Sequence, residues 1–273
     1  MAGFFGLFNY SKEGPGIAKD APQKKTYVVF IETFFRNFWK FIPMNLVYFL
    51  ISIPVITGGL ASAGLTNVTR NIARDRHSFG LSDFFETIKK NFKQSLLAGI
   101  INTVIYAILF FDLYFFYSLA NSTVSTIGLV VCCVMLFIFI LMNYYIWTLI
   151  ITFNFTLGQV YKNSFRFVFI NMKKNFLCFL CLTVFYVLLL AIIYFTSVNI
   201  LVSTLELLFI ICCVPAFRFL MIQYFVFPSI KKYVIDPYYE EHPDEDIEKR
   251  RDLGIEVPED EEDSEEDDIV FED

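Results

Sequence analysis

Five apolar runs constrain what this chain can fold into. Leu96 to Ala120, Val124 to Phe153, Phe176 to Phe195 and Ile200 to Phe227 each supply the roughly 20 residues with which a helix crosses a hydrocarbon core of about 30 Å. Phe41 to Leu65 is a fifth run and carries no charge at all. In hydrocarbon a segment must satisfy its own backbone N–H and C=O groups, and a helix does so. Soluble domains of 273 residues do not reach 56% hydrophobic content with 34 Phe and 15 Tyr. The expectation is an all-α, polytopic membrane protein with about five membrane helices, the estimate following from those five runs.

The charges divide the chain. Residues 1–235 hold 19 Lys and Arg against 8 Asp and Glu, whereas 236–273 hold 3 against 20. Three parts follow: a cytoplasmic N-terminal tail over 1–26, a helical membrane domain over 27–235, and an acidic C-terminal tail over 236–273 that is too polar to bury a core and is expected to be disordered. That tail reads either as a solvated segment or as one that docks on basic partners. "MAGFFGLFNYSKEGPGIAK" lacks an early cationic segment, a long apolar stretch before Asn9 and a cleavage signal, so no secretory leader is expected.

From Tyr27, an apolar stripe through Phe30, Phe34, Phe38 and Phe41 predicts an interfacial helix leading into the first membrane run. Two later basic segments resemble each other. "LSDFFETIKKNF" spaces Leu81, Phe85, Ile88 and Phe92 as "FRFVFINMKKNF" spaces Phe165, Phe169, Met172 and Phe176, and both end in KKNF. "GLTNVTRN" and "TLGQVYKN" extend the similarity upstream, which predicts an internal repeat. Each copy reads as a helix descending to the cytoplasm, a basic amphipathic elbow, and a helix ascending. Asp83 and Glu86 are expected to cap the first elbow. Its apolar residues, with those of the second elbow, are candidate docking faces, while Lys89, Lys90, Lys173 and Lys174 suit anionic lipid headgroups.

Basic residues flank Phe41 to Leu65 on both sides. If basic loops stay in the cytoplasm, the chain must turn back inside the run. Pro54 would end one helix and Gly58-Gly59 would permit the reversal, giving a re-entrant hairpin followed by two transmembrane hairpins. Both termini are then cytoplasmic; the alternative is five full crossings with the N-terminus outside, which would put six Lys and Arg on the wrong face. Arg218, the one basic residue left in a membrane run, would snorkel to the inner interface.

Few residues offer chemistry. A broken helix at membrane depth reads either as a binding site or as a packed structural reversal, so Pro54, Gly58 and Gly59 are candidates for a solute or ion site. Asp112 and Glu206 lie at similar depth in their helices; they would either share a cavity for a cation or polar solute or each solvate in an outer vestibule. Asn45, Asn102 and Asn143 fit helix bridging. The 6 Cys sit within apolar runs as small hydrophobes, and the 2 His, His77 and His242, lie outside them. No GxxxxGK, HExxH or GxSxG motif occurs. No catalytic residue, metal, cofactor or nucleic-acid partner is expected.

"FNYSKEGPG", "IPVITGGLASAGLTNVTRNIARD", "SDFFETIKKNFKQS" and the tail's "RDLG" resemble the YesL-like family of bacterial integral membrane proteins, whose function is unknown. A Pro often follows the glycine of the family's turn, and Gly59 stands in its place here. The resemblance implies a Gram-positive plasma membrane protein, often encoded beside carbohydrate-uptake ABC transporters or glycan-degrading enzymes. It brings no catalytic residues. The function expected is a non-enzymatic accessory or interaction subunit associated with carbohydrate uptake, with the bilayer, an ABC-type sugar transporter or a second copy of itself as partner. The alternative is a transporter or channel in its own right for a polar solute or cation.

Overall fold

The computed structural model describes residues 26–119, 122–196 and 200–241, and the regular elements among them are all helical. The N-terminal segment and the acidic stretch from 242 onward lie outside the described residues. Four helices are long and apolar enough to cross a membrane: α5 (Phe92–Ser118), α6 (Thr123–Thr152), α8 (Met172–Thr196), and α9 (Ile200–Ile230), whose helical path continues to Glu241. They match the four long runs of the sequence. α1 (Thr26–Arg36) sits on α9, where Phe30 and Phe34 meet Phe217 edge-on.

The uncharged run folds into two short helices, α2 (Phe38–Ser52) and α3 (Gly58–Ala73), which pack on each other as a hairpin around the break at Pro54. Each is only about 22–24 Å long. α3 is the centre of the molecule, touching α1, α2, α5, α6, α9 and the first elbow α4 (Leu81–Lys90). All residues from Gly59 to Thr66 are buried. Its small side chains allow this: a Cβ on Gly59 would lie 2.4 Å from the Ser95 carbonyl and 2.7 Å from the Gly99 Cα, and one on Gly64 would lie 2.9 Å from the Phe84 ring.

This corrects the expected role of the glycines. Gly58 opens α3 at φ −57° and Gly59 lies within the same helix, so the reversal needs no left-handed backbone at either position. Pro54 makes the turn in extended conformation and a single 3-10 turn, Val55–Thr57, completes it. Gly59 is required by close approach to α5 instead.

The elbows α4 and α7 (Leu157–Ile170) end in the same way. Asn91 and Asn171 adopt nearly the same backbone angles, φ −110° and −113°, and each carbonyl accepts the amide of the residue four further on, at 2.9 Å. The buried and exposed positions of 81–90 and 161–170 coincide one for one. The repeat is therefore visible in the fold, but its register is 80 residues, not the 84 that matching KKNF implies. The second KKN lies in the first turn of α8. The first elbow is also capped differently: Gly80 is the cap residue, at φ +61°, and Asp83 reaches back from the first turn to accept from the Phe79 amide (3.0 Å) and the Ser78 hydroxyl (2.8 Å). The capping box belongs to the second elbow, where the Thr156 amide donates to Gln159 Oε1 at 2.8 Å.

Buried asparagines bridge helices as expected. Asn45 Nδ2 donates to the Cys212 carbonyl (2.6 Å) and its Oδ1 accepts from the Ala216 amide (2.9 Å), so the side chain of α2 repairs the helical ladder of α9 beside Pro215. Asn102 donates to Asn143 at 2.8 Å, joining α5 to α6. Past Ile230 the last helix widens into a π turn, Lys231–Ile235, and continues as α10 (Asp236–Glu241). Ile235 and Tyr239 are buried, so ordered structure runs beyond the boundary expected at 235.

Candidate functional site

The last two turns of α3 carry a polar face, Asn67, Arg70 and Asn71, that turns away from the small-residue contact with α5. Asn67 donates to Thr87 Oγ1 of α4 at 2.7 Å. Arg70 donates to Asn67 Oδ1 and, across to the end of α6, to Thr152 Oγ1, both at 2.8 Å. These two acceptors fix the orientation of the guanidinium. One turn on, the Arg74 guanidinium lies over the Phe227 ring, 4.5 Å from its centroid, which ties α3 to α9.

Beyond this polar face the elbow end of the bundle forms a half-open cavity of about 760 Å³. α3, the end of α4, the α6–α7 connection and the π turn with α10 form its walls. Arg70, Arg76, His77 and Lys90 line it, as do Asn67, Asn71, Asn91 and Asn154, and Phe153, Tyr238 and Tyr239 supply aromatic surface. Gln94 holds one wall in place by donating to the Phe155 carbonyl at 2.6 Å. A smaller annex of about 310 Å³ opens toward α4 and adds Asp83 and Glu86. Chemically, this is a polar, cation-rich chamber of a size usual for small-molecule sites. Among the described residues, no group of three or more His, Cys, Asp or Glu is placed to hold a metal.

The residues singled out from the sequence are distributed elsewhere. At the break, the Thr57 hydroxyl donates to the carbonyls of Ile51 and Pro54, the latter at 2.8 Å, and the Thr57 amide also reaches Pro54 at 2.9 Å. The Ile51 and Pro54 carbonyls at the break thus accept from the chain itself, while Val55 and Ile56 point outward at 64% and 58% exposure. Asp112 stands on α5 in electrostatic reach of Cys132 on α6. Glu206 on α9 accepts from Thr196 of α8. The two carboxylates therefore belong to different hairpins, and no hydrogen bond or ion pair joins them.

Of the docking faces, Phe165, Phe169, Met172 and Phe176 are all exposed, at 47–54%. In the first elbow, Phe85 and Phe92 are exposed but Leu81 packs against the core and Ile88 is buried, because Ile88 shares with Phe84 and Thr87 the face of α4 that meets α3. Lys89, Lys90, Lys173 and Lys174 are exposed, with Lys90 on the cavity rim. Arg218 is half-buried in the bundle. Tyr48, Tyr106, Tyr144 and Tyr186, from α2, α5, α6 and α8, lie in electrostatic range of its guanidinium, and no carboxylate among the described residues pairs with it.

Sequence reasoning missed the chamber. Its residues come from four separated segments, and the available signal was the density of Asn, Arg and His in "TNVTRNIARDRH", which reads equally well as an ordinary basic loop. That segment lies in the part of the chain with known relatives. Residues 41–113, from α2 to most of α5, match the model of a family described as a protein of unknown function, DUF624. No curated protein and no solved structure matches the chain.

Proposed function

From the premise that the chain belongs, through residues 41–113, to the YesL-like family of unknown function, we propose that it is a non-enzymatic accessory or interaction subunit of a membrane uptake system. The observation that carries this reading is the exposed row Phe165, Phe169, Met172 and Phe176 at the α7–α8 junction, which no element among the described residues covers. Four large apolar side chains in one row form a contact surface. The lysines beside them, Lys173 and Lys174, support a reading in which that surface lies at the headgroup level of an inner leaflet, with the elbow end and both termini in the cytoplasm of a bacterial plasma membrane. On this orientation α2 and α3 form a re-entrant hairpin whose tip, Pro54 to Thr57, stops short of the far side. The carbohydrate-uptake setting of the family supplies the partner class: the membrane-spanning subunit of an ABC-type sugar transporter.

Affinity purification of the intact chain from native membranes in mild detergent tests this. Co-purification of a transporter permease in near-equal amount, lost when Phe165 and Phe169 are replaced by Ser, is the expected result. Recovery of the chain alone, together with solute flux from reconstituted liposomes that requires Asp112 and Glu206, would replace it with the transporter reading.

A further inference from the structure

Within the bundle stands a charged group that the docking reading does not use. Arg218 lies about 27 Å along α9 from Ile200 and about 18 Å from Ile230, away from both ends of the helix. Tyr48, Tyr106, Tyr144 and Tyr186 come within electrostatic range of it from four other helices. We propose that this cluster binds a monovalent carboxylate, with the Arg218 guanidinium holding its two oxygens and the tyrosine hydroxyls donating around it. A guanidinium presents paired N–H donors in the geometry of a carboxylate, and each phenol adds an O–H. Among the described residues the guanidinium and the four hydroxyls make no hydrogen bond, and no carboxylate pairs with Arg218. A charge inside a membrane bundle calls for a partner, and a set of groups that all donate calls for an acceptor. Arg218 is the only Lys or Arg in the five apolar runs, which sets the valence of that partner at one.

A plainer account is that aromatic rings alone solvate the cation. Phe219 does contribute, with its ring centroid 5.5 Å from the guanidinium carbon. That account leaves the phenol oxygens unexplained. Tyr48 packs its ring edge-on against Phe219 at 5.7 Å and Tyr106 packs against Phe139 at 4.9 Å, contacts that phenylalanine would make equally well. The hydroxyls add nothing to those contacts and are accounted for by a polar occupant. Cys178, fully buried on α8, is also in range, and its thiol is at most a weak donor.

Tyr186 is 37% exposed on α8 and Arg218 is half-buried, so the cluster reaches the side of the bundle. A carboxylate therefore has two sources, a soluble organic acid or a fatty acid already in the bilayer. The full chain in nanodiscs of zwitterionic lipid and chloride-free buffer, titrated calorimetrically with benzoate, tests the first. Native mass spectrometry of the chain in nanodiscs doped with oleate tests the second. Saturable binding in either experiment, lost with Arg218→Gln and weakened roughly 10- to 100-fold by Tyr186→Phe, supports the site and identifies its source. Tyr186→Phe keeps the ring and removes only the hydroxyl, so it keeps the test valid if Arg218→Gln fails to fold. Absence of binding in both experiments overturns the proposal. So does binding indifferent to both substitutions, or an Arg218-dependent response to chloride that neither carboxylate reproduces.

Discussion

The two elbow hairpins are built on one plan and finished differently. In both, an amphipathic helix buries the same positions, kinks at an asparagine and launches a long apolar helix. At matched positions, however, the first copy has Thr87 and the second Phe167. Thr87 accepts from Asn67 and so sustains the polar network that holds Arg70. Phe167 stacks on Tyr145 with ring centroids 5.1 Å apart. Eight residues further on, Ser95 leaves room for the backbone of α3 at Gly59, whereas Asn175 fills its place, accepting from Tyr145 at 2.6 Å and donating to the carbonyls of Phe167 and Val168, both at 3.1 Å. One copy has been opened and the other sealed. An internal repeat can thus carry a scaffold twice and a polar cavity once, and here the open copy is the one that falls within the family match.

Breaking the sealed copy should cost most. Phe167→Ala removes a buried aromatic against Tyr145 and is expected to destabilise by about 3–5 kcal/mol, seen as a lowered midpoint of thermal unfolding in detergent. Gly59→Ala comes next, at about 3 kcal/mol, because its new methyl meets backbone atoms of Ser95 and Gly99 that cannot swing aside. Gly58→Ala is its control: nothing lies within 4 Å, and a helical alanine should stabilise by about 0.5–1 kcal/mol. Asn175→Ala is expected to lose about 2 kcal/mol by taking a donor from the Val168 and Phe167 carbonyls and the acceptor from the Tyr145 hydroxyl. Thr87→Val, in the open copy, should cost only about 1 kcal/mol. If Thr87→Val proved as damaging as Phe167→Ala, the contrast between an open and a sealed elbow would fail.

Much of this architecture is legible in the sequence because hydrocarbon imposes simple rules. The long spans follow from run length, the break from Pro54, and the bridging asparagines from the scarcity of polar partners in apolar helices. The repeat is legible but its register is not. A shift of four residues moves a helix by little more than one turn, so an apolar stripe matches almost as well at 84 as at 80, and the coincidence of KKNF outweighs the structural alignment of Asn91 with Asn171. The use of Gly59 is hidden for a different reason: a glycine that turns the chain and a glycine that admits a neighbouring helix look alike in one dimension. The chamber is hidden because its walls are assembled by tertiary packing from α3, α4, α6 and the final helix.

Arg218 bears on how the molecule is made. An arginine at the centre of an apolar helix raises the cost of entering the bilayer by roughly 2.5–3.5 kcal/mol. α9 is the last of the long apolar helices in the chain, and the four tyrosines around Arg218 all come from helices that emerge from the ribosome before it. The guanidinium therefore never has to face lipid alone if the earlier helices have gathered when α9 arrives. Order of synthesis and order of assembly coincide, and moving α9 to the front of the chain would leave its arginine in the membrane before any of its phenols.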